Sequence, residues 1–152
     1  MSEDKFAFDI QRGDVGEMVA MWMFTNNPKV KSVIRCAHDK RFQNDDIDFI
    51  VQCGDRVITY EVKTDYQANI TGNLYYEKTT SGNIGCFEKT KADFILLYIY
   101  ELQRMLVIST NDLREYVKKS NFQLVRGGDK SEGYKIPLCD LLKLKIAKEV
   151  KC

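Results

Sequence analysis

Two residues, Gly54-Asp55, interrupt a stretch from Asn44 to Asp65 (NDDIDFIVQCGDRVITYEVKTD) that otherwise alternates apolar and polar side chains. Alternation with period two marks a half-buried strand, and a two-residue turn opening on glycine suits the II′ hairpin that matches strand twist. With the turn placed there, Cys53 faces Arg56, Val51 faces Ile58, Phe49 faces Tyr60 and Ile47 faces Val62. The last three pairs are β-branched or aromatic and share a face, so that face belongs in a core. The apolar pattern and the turn chemistry select the same register.

That register sets Asp48 opposite Glu61 and Asp46 opposite Lys63 on the other face. Directly opposed like charges, with Cβ atoms about 4.5–5.5 Å apart, destabilise a strand pair unless something offsets them. A hard divalent cation does so, because Mg²⁺ binds through one or two carboxylates while keeping several waters. Lys63 follows Glu61 by two residues and therefore points the same way. The face gathers two carboxylates and an ammonium, although an E-x-K triplet alone is equally the ordinary outer face of a sheet, and Asp46 with Lys63 could be an exposed ion pair worth ~0–1 kcal/mol.

Asp48 followed by Glu61-Val62-Lys63 across a short hairpin resembles the signature of the PD-(D/E)XK nuclease superfamily, the restriction-endonuclease-like fold that includes archaeal-type Holliday junction resolvases. A helical glutamate upstream accompanies that signature, and RGDVGEMVAMWMF supplies Glu17. On that segment Val15, Met18, Val19 and Trp22 recur at helical spacing and are expected to face the core, with Glu17 on another side beside Met21 and Phe24. The resemblance runs from Arg12 to Asp65 in motif and continues to Leu142 in the order of elements; Ile47 stands where the motif has its proline. It implies a metal-dependent endodeoxyribonuclease in which Asp48, Glu61, the backbone carbonyl of Val62 and Glu17 hold Mg²⁺, Mn²⁺ being able to substitute. Lys63 then positions the attacking water or stabilises the phosphorane-like transition state. It further implies DNA as substrate and leaves a homodimer open, since many enzymes of this fold cut two strands as dimers. The competing reading is an inactive nuclease-fold module that binds nucleic acid or a protein.

Other residues enter with lesser roles. Glu77 resembles an accessory acidic residue of small members of the superfamily, although an exposed strand residue explains it equally. Gln67, four residues beyond Lys63, is placed to contact substrate or organise water. Arg126 and Lys130 flank a glycine-rich loop that lacks the G-K-[ST] ending of a phosphate cradle, and are candidates for backbone phosphate contacts, as are Lys40, Arg41, Lys89 and Lys91.

At 152 residues and 44% hydrophobic content the chain suits one domain spanning 1–152, and its net charge of +1 argues against bulk coating of nucleic acid while permitting a local basic groove. Five cysteines, at 36, 53, 86, 139 and 152, form no C-x-x-C pair. Without a signal peptide or an apolar run of ~18 residues, they read as small core residues of a reduced, cytoplasmic chain with no membrane association, Cys53 and Cys152 being the accessible ones. His38 is the only histidine, which excludes a histidine-based zinc site; it reads as a strand-end residue.

The expected architecture is α/β, a mixed central sheet flanked by helices with an αβββ start, restriction-endonuclease-like. VKSVIRCAHD reads as the first strand, DFILLYIY as a strand buried mid-sheet, and RMLVIST as its neighbour. Thr110 or Asn111 is expected to cap the helix NDLREYVKK. The segment from Tyr66 to Phe94 reads as loop and short strand, FQLVRGGDKSEGYKIPL as two short strands, and Cys139 to Lys148 as a closing helix.

Overall fold

A computed structural model describes residues 3–128 and 130–150, with side chains from residue 14 onward. Arg12 therefore has no described side chain, and Cys152 lies outside the described residues. In chain order the elements are α1 (Glu3–Thr25), β1 (Val30–Arg35), α2 (Lys40–Gln43), β2 (Phe49–Cys53), β3 (Arg56–Asp65), α3 (Ala68–Thr71), β4 (Asn73–Thr80), β5 (Asn83–Ile84) and α4 (Cys86–Lys89). Then come β6 (Phe94–Ile99), β7 (Arg104–Ser109), α5 (Thr110–Lys119), β8 (Val125–Arg126), β9 (Ser131–Pro137), α6 (Leu138–Lys143) and β10 (Ala147–Val150). The αβββ start is present, with the single turn of α2 inserted between its first two strands.

The main sheet is mixed, in the order β1-β2-β3-β6-β7-β10; β3 and β6 run parallel and the other neighbours antiparallel. Its centre is β6, the continuous apolar run, buried on both faces as such a run requires. Leu96 and Tyr98 join Phe49, Val51, Val62 and Met105 beneath α1, while Ile95, Leu97 and Ile99 join Leu106, Ile108, Leu113 and Leu141 on the opposite face. Glu61 pairs with Ile95 and Lys63 with Leu97 in the parallel ladder, so both belong to this second face.

Helix α1 is rotated from the expected setting. Its buried line is Gly16, Ala20 and Phe24, with Val15 and Val19 packed beside it, whereas Met18 and Trp22 are 67% and 55% exposed. Close approach decides this. The Gly16 N–H donates to the Thr64 hydroxyl (3.1 Å), and a Cβ on Gly16 would run into that hydroxyl and the Val62 side chain. Only small residues let the helix backbone lie this near β3, so the bulky Met18 and Trp22 go outward.

Three expectations for the rest of the chain are corrected. The segment after β3 holds an eight-residue strand, β4, which pairs with β9 in a second antiparallel sheet of order β5-β4-β9-β8. The closing helix ends at Lys143; Lys145 takes a left-handed φ of 60° and the chain returns as β10 along the edge of β7. The cap of α5 is Ser109, whose hydroxyl accepts from the Asp112 N–H, one residue before the expected Thr110 or Asn111. Among the described cysteines Cys36 is buried and Cys53 partly exposed, both as expected, but Cys139 is exposed. No described helix is long and apolar enough to cross a membrane.

Candidate active site

The hairpin forms in the expected register, Phe49 facing Tyr60, Val51 facing Ile58 and Cys53 facing Arg56, with Gly54 at φ 62° in the turn. The ladder ends at Phe49–Tyr60, short of Ile47–Val62 and Asp46–Lys63. There the chain bends. The Asp48 N–H donates to the Tyr60 carbonyl (2.8 Å), its carbonyl accepts from Cys36 (2.7 Å), and its carboxylate accepts the Val62 N–H (2.7 Å). Asp48 thus caps β3 with its side chain where a ladder carbonyl would have continued. The bend has a cause in the preceding residues. Asp46, at a left-handed φ of 49°, pairs with Lys89 (3.1 Å) instead of Lys63, its carbonyl accepts from the Thr90 hydroxyl (2.8 Å), and Asp45 pairs with Lys91 (2.9 Å). Two of the six cations considered for phosphate contact are therefore tied to this loop, and Arg41 is bound to Asp39 (2.6 Å).

Lys63, released from Asp46, lies 2.6 Å from Glu61. Glu61 is 4% exposed, a carboxylate inside the fold. Burial pushes its pKa up to about 7; the Lys63 ammonium opposes that rise and the Asp48 charge adds to it. Asp48 is raised as well, by burial first, against the Val62 N–H and with the charge of Glu17. Burial alone would lower Lys63, but Glu61, the Cys86 thiol and Asp48 all face its ammonium and hold its proton more firmly than usual. The two carboxylates are raised first by burial, whereas Lys63 is raised by the acidic groups that face it; two carboxylates are thus set against one ammonium.

Glu17 borders this centre, near enough for its charge to act on Asp48, yet its carboxylate is held elsewhere. Arg35, the last residue of β1, donates to it from Nε (3.0 Å) and Nη2 (2.5 Å), and the same Nη2 reaches Asp14 (3.4 Å). Asp14, Glu17 and exposed His38 bring one ligand atom each within 4.8 Å of one another, the one group of three metal-ligating types at that spacing among the described residues; Asp48 and Glu61 are not in it. Sequence reasoning missed Arg35 and Asp14. Asp14 could have been found, because residues three apart on a helix are neighbours.

The remaining candidates divide. Glu77, on β4, is near enough for its charge to raise the Cys86 thiol, which burial first, with opposing help from Lys63, brings to about 11. Cys86, at the start of α4 and taken from the sequence as a plain core residue, is thereby placed beside Lys63. Gln67 and Arg126 line one cavity beyond the end of β3, and Lys130 lines a neighbouring one that shares Arg126.

No protein-family model matches the chain, and no curated protein matches it. A solved structure of a bacterial homing endonuclease aligns with 89% of this chain and 91% of its own, at 15% sequence identity and a TM-score of 0.49.

Proposed function

We propose that the chain is a metal-dependent nuclease that hydrolyses phosphodiester bonds in DNA, with Asp48, Glu61 and Lys63 as its working centre. One observation carries the reading: a carboxylate only 4% exposed, paired to a lysine two residues on, beside a second carboxylate fastened to the intervening amide. A buried ion pair contributes little to stability against apolar residues of the same volume. Retaining a second acid there, with a deficit of positive charge, fits a cation site. DNA as the substrate comes from the resemblance of Asp48 and Glu61-Val62-Lys63 to the PD-(D/E)XK signature.

Asp48, Glu61 and the Val62 carbonyl would hold Mg²⁺, with Mn²⁺ as a substitute. A strand residue directs its N–H and C=O to the same side, so that carbonyl faces the edge where Asp48 binds the N–H. Glu17 joins them only by leaving Arg35. The ion, once bound, polarises the phosphate and lowers the pKa of its water. The chain's own contribution is Lys63. Fixed by Glu61, its ammonium neutralises charge that develops on the phosphoryl oxygens in the transition state.

The test is cleavage of a mixed panel of labelled DNAs and RNAs by the wild type, Asp48→Ala and Lys63→Ala in Mg²⁺, Mn²⁺ or EDTA, with calorimetric Mg²⁺ binding alongside. Metal-dependent cutting of DNA, lost in both variants, is expected. An uncut panel together with no metal binding would instead favour a non-catalytic binding module, and size-exclusion with light scattering would show whether the active species is a dimer.

A further inference from the structure

The cavity beyond the end of β3, about 580 Å³, lies within the range of roughly 300–1,000 Å³ typical of small-ligand sites. It opens at Thr64 and Asp65, the two residues after Lys63, and β3 advances only ~3.3 Å per residue. Its far wall is the second sheet. Tyr75 and Lys135 are directly paired across β4 and β9, and Arg126 reaches in from the end of β8. Arg126 and Lys135 are exposed, and neither makes an ion pair with a described residue. The lining also includes Gln67 and Asn73, which carry amides, and the tyrosines Tyr66 and Tyr75.

Both tyrosines are held in place. Tyr66 packs on Tyr100 with ring centroids 4.8 Å apart, and the Tyr75 hydroxyl shares a hydrogen bond with Ser131 (3.1 Å). Gly127 is required where it is, since a Cβ there would strike the Tyr75 hydroxyl and the Ser131 side chain. The Asp65 carboxylate is turned to its own chain, accepting the N–H groups of Gln67 and Ala68 (both 2.7 Å), so it keeps α3 in position at the cavity floor.

We infer that this cavity binds one unpaired nucleotide of the DNA strand, its phosphate on Arg126 and Lys135 and its base against the tyrosine rings and the Gln67 and Asn73 amides. Each part of the cavity matches one part of that ligand. Cations take the phosphate oxygens, an aromatic face takes any base at about 1–3 kcal/mol, and paired donor-acceptor amides read a base edge. A concave site of this size admits a nucleotide swung out of a stack and excludes an intact duplex. The inference rests on the nuclease reading for its claim that the nucleotide belongs to DNA, and it makes DNA with an unpaired nucleotide near the cut the preferred substrate.

The test does not depend on cleavage. Thymidine 5′-monophosphate, thymidine and inorganic phosphate are titrated into the full chain in EDTA, followed by amide NMR shifts, with Arg126→Ala and Lys135→Ala as variants at exposed positions that leave the cores intact. The monophosphate should bind at least tenfold more tightly than phosphate, shift the amides of Gln67, Asn73, Gly127 and Gly128, and weaken at least tenfold in either variant. Phosphate binding as tightly as the monophosphate would overturn the inference, leaving a bare anion site. So would absent binding, or binding indifferent to both substitutions. A chain that cuts DNA through Asp48 yet binds no nucleotide here refutes this inference alone, and one that binds the nucleotide but neither cuts DNA nor binds metal refutes the nuclease reading alone.

Discussion

Glu61 should make the metal-free protein lose stability as the solution becomes less acidic. Its pKa stands at about 7 in the folded chain against an ordinary 4.5, because burial penalises the anion more than Lys63 rewards it. The folded state therefore holds this proton more tightly than the unfolded state does. The favourable contribution is full below about pH 4.5 and is lost as the pH rises through about 7. That interval, at about 1.4 kcal/mol per tenfold, corresponds to about 3 kcal/mol. Urea unfolding in EDTA at a series of pH values measures it: with a slope of about 1–3 kcal/mol/M, the midpoint should fall by roughly 1–3 M across the interval. Glu61→Gln is the control. It lowers stability at every pH by leaving the Lys63 ammonium without its partner, but it should flatten the pH dependence. Mg²⁺ should raise the wild-type midpoint at pH 8 and leave it unchanged at pH 4.5, since only the ionised carboxylate can serve the ion. A wild-type profile parallel to that of Glu61→Gln would refute the reasoning, whatever the nuclease assay shows.

Gly16→Ala should cost about 1–3 kcal/mol in a thermal melt through overpacking against Thr64, and Thr64→Ala in the same chain should return part of it; an unchanged melt would mean α1 can lift away from β3. Arg114 donates to the carbonyls of Phe87 (2.8 Å) and Thr90 (2.5 Å), so Arg114→Ala should cost about 1–3 kcal/mol and speed amide exchange around α4, while uniform protection would remove that role. Arg35→Ala takes the guanidinium from Glu17 and Asp14, and calorimetry should find Mn²⁺ bound about tenfold more tightly, the order expected from removing one unit charge beside an ion near the surface. Unaltered affinity would remove Glu17 from the ligand set.

Much of the sheet is legible because period-two patterning and turn chemistry act locally. Gly54-Asp55 fixes the hairpin register without help from the rest of the chain, and the apolar run at β6 can satisfy both of its faces only at a sheet centre. The errors occur where tertiary contact overrides local pattern. Met18 and Trp22 outweigh Gly16 and Ala20 in any count of apolar residues, yet the smaller pair face the core because the helix must approach β3 closely. Leu141, Leu142, Leu144 and Ile146 mimic a helical stripe to the end of the chain, but the edge of β7 takes residues 147–150 as a strand. Nothing local in those four residues announces a free edge elsewhere.

The site shows the same division. That Asp48, Glu61 and Lys63 gather at one place follows from alternation on β3 and the hairpin register; how they settle their charges does not, because that depends on Lys89, Lys91 and Arg35, distant in sequence. Strict continuation of the ladder would have set two carboxylates face to face with Asp46 neutralising Lys63. Bending at Asp48 exchanges that arrangement for one in which the Val62 amide stabilises one acid and Lys63 the other. Both acids are nevertheless shifted upward, burial being the first cause and the neighbouring acid a smaller one. The exchange also costs ladder hydrogen bonds at the middle of β3. A purely structural hairpin would have lost nothing by carrying threonine or valine at these positions. Under the proposed reading, a cation bound where the ladder was given up would offset the second of two carboxylates that face a single ammonium.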